Sequence, residues 1–421
     1  MLMKNLKKLW LPAVAVALAM GACSSDNEPG EEPTVTVDPV EEVEFELTAA
    51  EKAAASRALG FQTDFFRAVN ALPENAGKNV VVSPLSAQVL LSILANTAGQ
   101  QQAAEIMAAL DCNDMDAINS LAVKYQSALP MIDNAVKMTL VNAMWYNNRY
   151  TVNPEPASRL GEVFGIEPVA SDFNDGKKVS DEINRWAADK TNNLIREIML
   201  PAQIQPDLLA VAANALYFSG EWANPFDADN TEKEAFAAVD GQTTVDMMKN
   251  DGMQHVVFRE SYSAVKMELG ASGKFYALFV LPAEGTDIND FVERFDTRSL
   301  PSLFMDDDVI FWLPKFKFET PQLYLNQPFA NLGMPSLSNF AETDFFMEKP
   351  EAKYDVFQKS VISFEEKGAE GAAVTWYTWS SSTGEPVVDP TPEVKLNRPF
   401  LFFINEASTD ACIFAGKMVK F

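Results

Sequence analysis

Histidine occurs once in the 421-residue chain, at His255, and this sets the first limit on chemistry. Any Ser-His-Asp or Cys-His mechanism would have to run through that single imidazole. It lies in Met253-Gln254-His255-Val256-Val257-Phe258, an apolar run that reads as a strand with no nucleophile motif beside it. A structural histidine is the expectation, and with it a protein that is not an enzyme. Cys23, Cys112 and Cys412 are far apart and lack metal-ligand spacing, so no metal or other cofactor is expected. Cys112 and Cys412 read as buried free thiols, with a bond between them as the alternative. Lys and Arg total 33 against 59 Asp and Glu, a net charge of −26. Such a chain repels phosphate backbones and heparin-like polyanions, so nucleic acid is not an expected partner.

Cys23 carries a different chemistry. Lys4, Lys7 and Lys8 form a basic segment, and Leu9 to Met20 follows as an apolar stretch too short for a bilayer span of about 20 residues. Gly21 and Ala22 then precede Cys23, which resembles a bacterial lipoprotein signal with Met20 in place of the commoner Leu. Residues 1–22 are the expected signal peptide, and Cys23 would become the lipidated residue that attaches the protein to a membrane. The expected location is the cell envelope, at the outer membrane or cell surface. A plain secretory signal cut near Ala17-Leu18-Ala19 is the alternative. Residues 23–46 are rich in Glu, Asp and Pro and read as an acidic tether.

The elements behind these residues start at Thr48-Ala49-Ala50-Glu51, a capping box, followed by Leu59, Phe61, Phe65 and Val69 at helical spacing. Ser83-Pro84 opens a second helix with Leu90, Leu91 and Leu94 as its inner stripe. A helix through Ile183 to Lys190 ends at Asn192-Asn193, residues that tolerate a left-handed turn. Leu208–Phe218 is apolar on both faces, as in a central strand covered on both sides. Further strands are expected at Phe275–Leu281, Val309–Phe318, Val361–Phe364, Leu401–Ile404 and Ile413–Val419. Helices early and strands late indicate an α+β fold, and no repeat or linker divides residues 47–421.

Five motifs then occur in order. They are Asn79-Val80-Val81-Val82-Ser83-Pro84-Leu85-Ser86, Asn214-Ala215-Leu216-Tyr217-Phe218-Ser219-Gly220-Glu221-Trp222 leading to Thr231, Leu313-Pro314-Lys315-Phe316, Glu366-Lys367-Gly368-Ala369-Glu370-Gly371-Ala372-Ala373-Val374-Thr375, and Asn397-Arg398-Pro399-Phe400 with Phe414-Ala415-Gly416-Lys417-Met418. Together they resemble the serpins, the serine protease inhibitor family. The resemblance implies a large central mixed β-sheet, two further sheets, about eight or nine helices and an exposed reactive-centre loop, here about 366–395. It implies a hinge at Glu366, Gly368, Ala369, Gly371, Ala372, Ala373 and Thr375, and a breach at Trp222 and Thr231. It implies a shutter at Ser83, Ser86, Asn214 and Gln358. Gln358 stands where the family usually has histidine; it can hydrogen-bond to Ser83, Ser86 and Asn214 but cannot be protonated.

The family mechanism, as implied, is covalent trapping of a serine protease as its acyl-enzyme while the cut loop inserts into the sheet. An inserted strand buries alternate side chains. Ala369, Gly371, Ala373, Thr375, Tyr377 and Trp379 form an uncharged set, whereas Glu370 falls on the other face. Counting sixteen positions from the hinge glutamate gives Ser382–Thr383 as the reactive bond, and counting back from Pro399 gives Val388–Asp389 instead. Gly368 through Glu393 contains no Lys or Arg, which disfavours trypsin-like targets and favours elastase- or subtilisin-like ones. A papain-like cysteine protease as target, and a non-inhibitory serpin acting as a binding module, are the alternatives. A monomer is expected.

Overall fold

Thr48 starts the first helix as its spacing predicts: its Oγ1 accepts from the Glu51 N–H at 3.3 Å, and Glu51 Oε2 accepts from the Thr48 N–H at 2.6 Å. The computed structural model describes residues 43–300, 303–338, 341–352, 355–369 and 391–421. Packing begins before the expected boundary at residue 47. The Val43 N–H donates to the Met131 carbonyl at 3.1 Å, and Phe45 stacks on Tyr125.

Among the described residues there are eight α-helices: α1 Ala49–Asn70, α2 Pro84–Ala95, α3 Gln100–Ala109, α4 Met115–Ser127, α5 Pro154–Phe164, α6 Gly176–Lys190, α7 Ile288–Arg294 and α8 Asn326–Asn331. The strands are β1 Val80–Val82, β2 Val136–Asn147, β3 Val169–Ser171, β4 Ala210–Glu221, β5 Glu232–Ala238, β6 Gly241–Phe258, β7 Tyr262–Leu269, β8 Phe275–Pro282, β9 Met305–Pro314 and β10 Phe316–Glu319. Then come β11 Leu323–Tyr324, β12 Ala341–Glu342, β13 Glu351–Ala352, β14 Phe357–Gln358, β15 Val361–Phe364, β16 Gly368–Ala369, β17 Glu393–Lys395, β18 Phe400–Glu406 and β19 Cys412–Met418. The run expected as one strand over Val309–Phe318 is two, because Pro314 has no N–H to extend the ladder and Lys315 turns to donate to the Asp246 carbonyl.

A nine-stranded mixed sheet runs β1-β19-β18-β8-β7-β6-β9-β17, with β5 on β6 and one parallel pair at β17-β9. A four-stranded sheet runs β16-β4-β2-β3, and β10-β15, β11-β14 and β12-β13 are two-stranded. Helix α2 departs from the expected one-sided stripe: every residue from Pro84 to Ala95 is buried. It runs through the core against α1, α3, α4, β4 and β19, so polar Gln88 and Ser92 must be satisfied internally. Gln62 donates to Gln88 Oε1 at 2.7 Å, and Ser92 donates to the Gln88 carbonyl. Helix α6 closes with Asn192 and Asn193 at positive φ, as expected.

Strand β4 is covered on both faces. Val211 and Ala213 pack with Trp145, Phe173, Val179 and Ile183 beneath α6, while Leu216 and Phe218 join the main core. On one edge β4 pairs with β2 from Ala210 to Gly220. On the other edge it pairs only at its C-terminal end, with β16. Among the described residues no ladder joins β4 residues 210–218 to residues 357–364.

Candidate hinge, shutter and strand slot

Strand β15 rises to Phe364 and the chain then reverses. Glu365 and Gly368 exchange N–H···O bonds of 2.9 and 3.1 Å, closing a tight turn. Gly368 adopts φ +155°, and a Cβ there would lie 2.3 Å from the Gly220 carbonyl oxygen and 2.6 Å from Glu221 Cα. Only glycine lets the returning strand approach β4 this closely. Gly368 then faces Glu221 and Ala369 faces Gly220, in antiparallel register.

Trp222 fastens this turn. Its indole Nε1–H donates to the Glu365 carbonyl at 2.9 Å, its backbone N–H donates to the Lys367 carbonyl at 3.0 Å, and the Phe226 N–H donates to the Glu366 carbonyl at 2.8 Å. Buried Trp222 also stacks on Phe364, with centroids 5.8 Å apart and planes 12° apart. Glu366 Oε1 accepts from Thr231 Oγ1 at 3.0 Å, and Oε2 accepts from Lys315 Nζ at 2.7 Å. Burial pushes the Glu366 carboxyl up, but the Lys315 ammonium and the Thr231 hydroxyl outweigh it and hold the group below the ordinary glutamate range. Lys315 is raised in return, chiefly by its bond to Glu366.

The polar residues beneath β4 form a chain. Asn142 Nδ2 donates to Gln126 Oε1 at 2.6 Å, Asn214 Nδ2 donates to Asn142 Oδ1 at 2.7 Å, and Ser86 Oγ donates to Asn214 Oδ1. The Ser86 N–H donates to Ser83 Oγ, which caps α2. Gln358 departs from expectation in its partners. Its Oε1 accepts from the Ser83 N–H at 2.9 Å and its Nε2 donates to the Ser83 carbonyl at 3.0 Å. The amide thus satisfies both backbone groups of Ser83 and is not bonded to Ser86 or Asn214, because pairing with the Ser83 backbone fixes its plane and aims both polar atoms there.

Between β4 and residues 355–359 lies a cleft of about 220 Å³ lined by Ala210, Ala212, Ala213, Asn214, Phe357 and Gln358. The Glu365–Gly368 turn stands at one end of the same gap. A strand beginning at Gly368 and continuing antiparallel to β4 would run into it.

The sequence profile of the family described as Serpin (serine protease inhibitor) matches residues 57–421. The chain is a serpin. A serpin-like protein of Methanosarcina acetivorans is 28% identical over 68% of this chain and 68% of its own length. Glia-derived nexin of Rattus norvegicus is 28% identical over 82% of this chain and 88% of its own. The native-state structure of the thermophilic serpin tengpin superposes with a TM-score of 0.77 at 24% identity, covering 92% of this chain and 98% of that one, a likeness of fold.

The expected hinge and breach residues Glu366, Gly368, Trp222 and Thr231 are brought together in this serpin, as are shutter residues Ser83, Ser86, Asn214 and Gln358 in two hydrogen-bonded groups. Gly371, Ala372, Ala373 and Thr375, both candidate bonds (Ser382–Thr383 and Val388–Asp389) and Cys23 lie outside the described residues. Reading by sequence missed Asn142, Gln126 and the partnership of Lys315 with Glu366. Asn142 had one available signal, since it sits directly opposite Asn214 once β2 and β4 pair. His255 lies on β6 opposite Asp306, away from the slot and paired to its carboxylate. Cys112 and Cys412 are both free thiols, and burial pushes the Cys412 thiol well up.

Proposed function

We propose that this serpin is a suicide-substrate inhibitor of serine endopeptidases, with elastase- or subtilisin-like enzymes as targets. The observation that carries this reading is the β16–β4 register beside an unfilled slot. Continuing that register sets Gly371, Ala373, Thr375, Tyr377 and Trp379 opposite Phe218, Leu216, Asn214, Ala212 and Ala210. Asn214, which bonds Ser86 of α2, shows that the even-numbered side chains of β4 face the core. Directly opposed residues share a face, so the uncharged set of the loop goes inward and Glu370 stays outward.

In the proposed reaction the protease serine attacks the Ser382 carbonyl. The Ser382–Thr383 amide bond breaks, an ester to Ser382 forms, and the Thr383 amine leaves with the proton that the protease histidine took from its serine. Insertion from Gly368 then carries the ester past Ala210, a travel of roughly 40 Å at about 3.3 Å per residue. Ser382 would lie just beyond the end of β4, so the acyl-enzyme is dragged across the molecule before water can release it. The lack of Lys and Arg from Gly368 through Glu393 supports a small-pocket target. In the same reading acylated Cys23 tethers the inhibitor to the cell envelope, and the acidic segment lets the domain stand off the membrane.

Residues 24–421 mixed with pancreatic elastase or subtilisin test this directly. A boiling-resistant band at the summed mass, with a released peptide beginning at Thr383, is the expected result. Cleavage without complex across the panel, together with no rise in Tm on cleavage, would overturn inhibition and leave a binding role.

A further inference from the structure

The core side of the slot contains a second cavity. It is about 50 Å³ and is lined by Leu90, Leu94, Met144, Phe345, Phe346 and Val356, with Ala210 and Ala212 of β4 forming its roof. Leu208, Ala210, Ala212 and Asp355 line both this cavity and the slot cleft, so the two meet at the end of β4 remote from Gly368. Thr97, Thr343 and Asp355 form the polar part of its lining, and the apolar walls are mostly buried: Leu94, Met144 and Phe346 are 2–3% exposed. A cavity of this kind costs stability for as long as it is unfilled.

We propose that this pocket is a receptor for Tyr377 and Trp379, which anchor the cleaved loop after insertion; the inference rests on the insertion reading above. Three observations converge on this occupant. Continued beyond Ala369, the β16–β4 register would set Tyr377 opposite Ala212 and Trp379 opposite Ala210, on the core face. Those two alanines are small, so large side chains opposite them have room that Leu216 and Phe218 deny nearer the hinge. The loop changes size at the same point, from Gly371, Ala372 and Ala373 to Trp376, Tyr377 and Trp379.

The space now present is smaller than an indole, and the remainder comes from the parting of β4 from residues 355–356 that insertion itself requires. Buried Tyr and Trp need a partner for their polar tips. Asp355, at the cavity mouth, accepts from Tyr324 OH at 2.7 Å, so the rim of the cavity is polar where those tips would arrive. The arrangement divides the loop by task. Small residues enter first with little to rearrange, and aromatic residues arrive last and hold the strand.

The test compares wild type, Tyr377→Ala/Trp379→Ala, Trp379→Phe and Ala212→Leu, each cut by catalytic amounts of subtilisin. The cut is mapped by mass spectrometry C-terminal to residue 379. No rise in wild-type Tm on cleavage would overturn insertion itself, and the pocket with it. Given a rise, the double variant is expected to lower the Tm of the cleaved form by about 5–10 °C while leaving the uncut form unchanged. Ala212→Leu, which fills the pocket beforehand, is expected to shrink the rise from the opposite side. The emission that distinguishes wild type from Trp379→Phe should move to shorter wavelength on cleavage and resist acrylamide. An undiminished rise in the double variant, or a Trp379 still quenched after cleavage, would overturn the pocket and leave insertion standing.

Discussion

At the Gly220–Trp222 end of β4, two backbone bonds from Trp222 and Phe226, an indole bond to Glu365, a ring stack on Phe364 and the Lys315–Glu366 ion pair converge on one turn. At the Ala210–Asn214 end of the same strand no ladder covers the neighbouring edge among the described residues, and a cleft along that edge adjoins a cavity on the core side. One strand therefore carries both a heavily fastened end and an underfilled one. Where a strand is already started, the next pairing closes only a short loop, so its entropic cost is low. Where the core is underfilled, inserted side chains gain the most burial. The difference gives insertion a direction, from the hinge toward the cavity, and a gain that grows along the way.

The largest expected effect comes from placing charge on the inward face of the loop. Ala373→Arg would set a guanidinium opposite Leu216, which is buried and apolar. An unpaired buried charge costs several kcal/mol. The variant should still be cut at the reactive bond but yield no boiling-resistant complex, and its Tm should not rise on cleavage. Glu370→Lys changes charge more but lies opposite Ser219, on the face away from Leu216 and Phe218, and replaces one charge by another there, so its complex should survive. A trapped complex with Ala373→Arg would break the register, and loss of trapping with Glu370→Lys would invert it.

Next in size is the fastening itself. Trp222→Ala removes the stack, the indole bond and a large buried volume, and should destabilise the uncut protein by about 3–5 kcal/mol. Trp222→Phe keeps an aromatic ring against Phe364 and loses the bond to Glu365, at about 1 kcal/mol plus the mismatch in shape. Chemical denaturation of the uncut protein measures both. Equal losses from the two variants would mean that the Glu365 bond, rather than the stack, holds the turn. That would move the strong end of the comparison from packing to hydrogen bonding.

Much of the fastened end was legible in the sequence and little of the open end was. Gly368 and Trp222 belong to contiguous motifs whose residue types are demanded locally, by a close backbone approach and by an indole within reach of a carbonyl. The capping box at Thr48 and the Asn192-Asn193 helix stop were legible for the same reason. For Gln358 the expected neighbourhood of Ser83 is observed but bonds to Ser86 and Asn214 are not, since the choice between Ser83 backbone and Asn214 side chain depends on how β14 sits against α2. The Asn142–Gln126 continuation needs the β2–β4 register and the approach of α4, which no short motif carries. A cavity is an absence of contact between segments far apart in sequence, and only assembled packing reveals it.

The smallest expected effect is electrostatic and belongs to the hinge alone. Burial disfavours the Glu366 carboxylate, yet Lys315 and Thr231 hold it below its ordinary value of 4.5. A group depressed in the folded state contributes stability above its unfolded pKa and loses it as pH falls through the folded value. Lys315 is raised above its ordinary 10.5, so its share is present below that value and fades as pH climbs through the raised one. The pair is thus in full force between the carboxylate and lysine ranges. It is partly exposed, with Lys315 at 39% and Glu366 at 14%, which limits it to about 0.2–1 kcal/mol. Glu366→Gln should be less stable than wild type by that amount at pH 7 and should match it well below pH 4.5, because Glu51, held at about 2 by Lys124 and Ser120 against its burial, titrates equally in both. Gln358 binds Ser83 through an amide that does not ionise, so Gln358→Ala should shift stability by the same amount at every pH in that window. A difference between wild type and Glu366→Gln that persists undiminished at low pH would assign the hinge bond to Thr231 and geometry rather than to charge. In that case the fastened end would differ from the open end by packing alone.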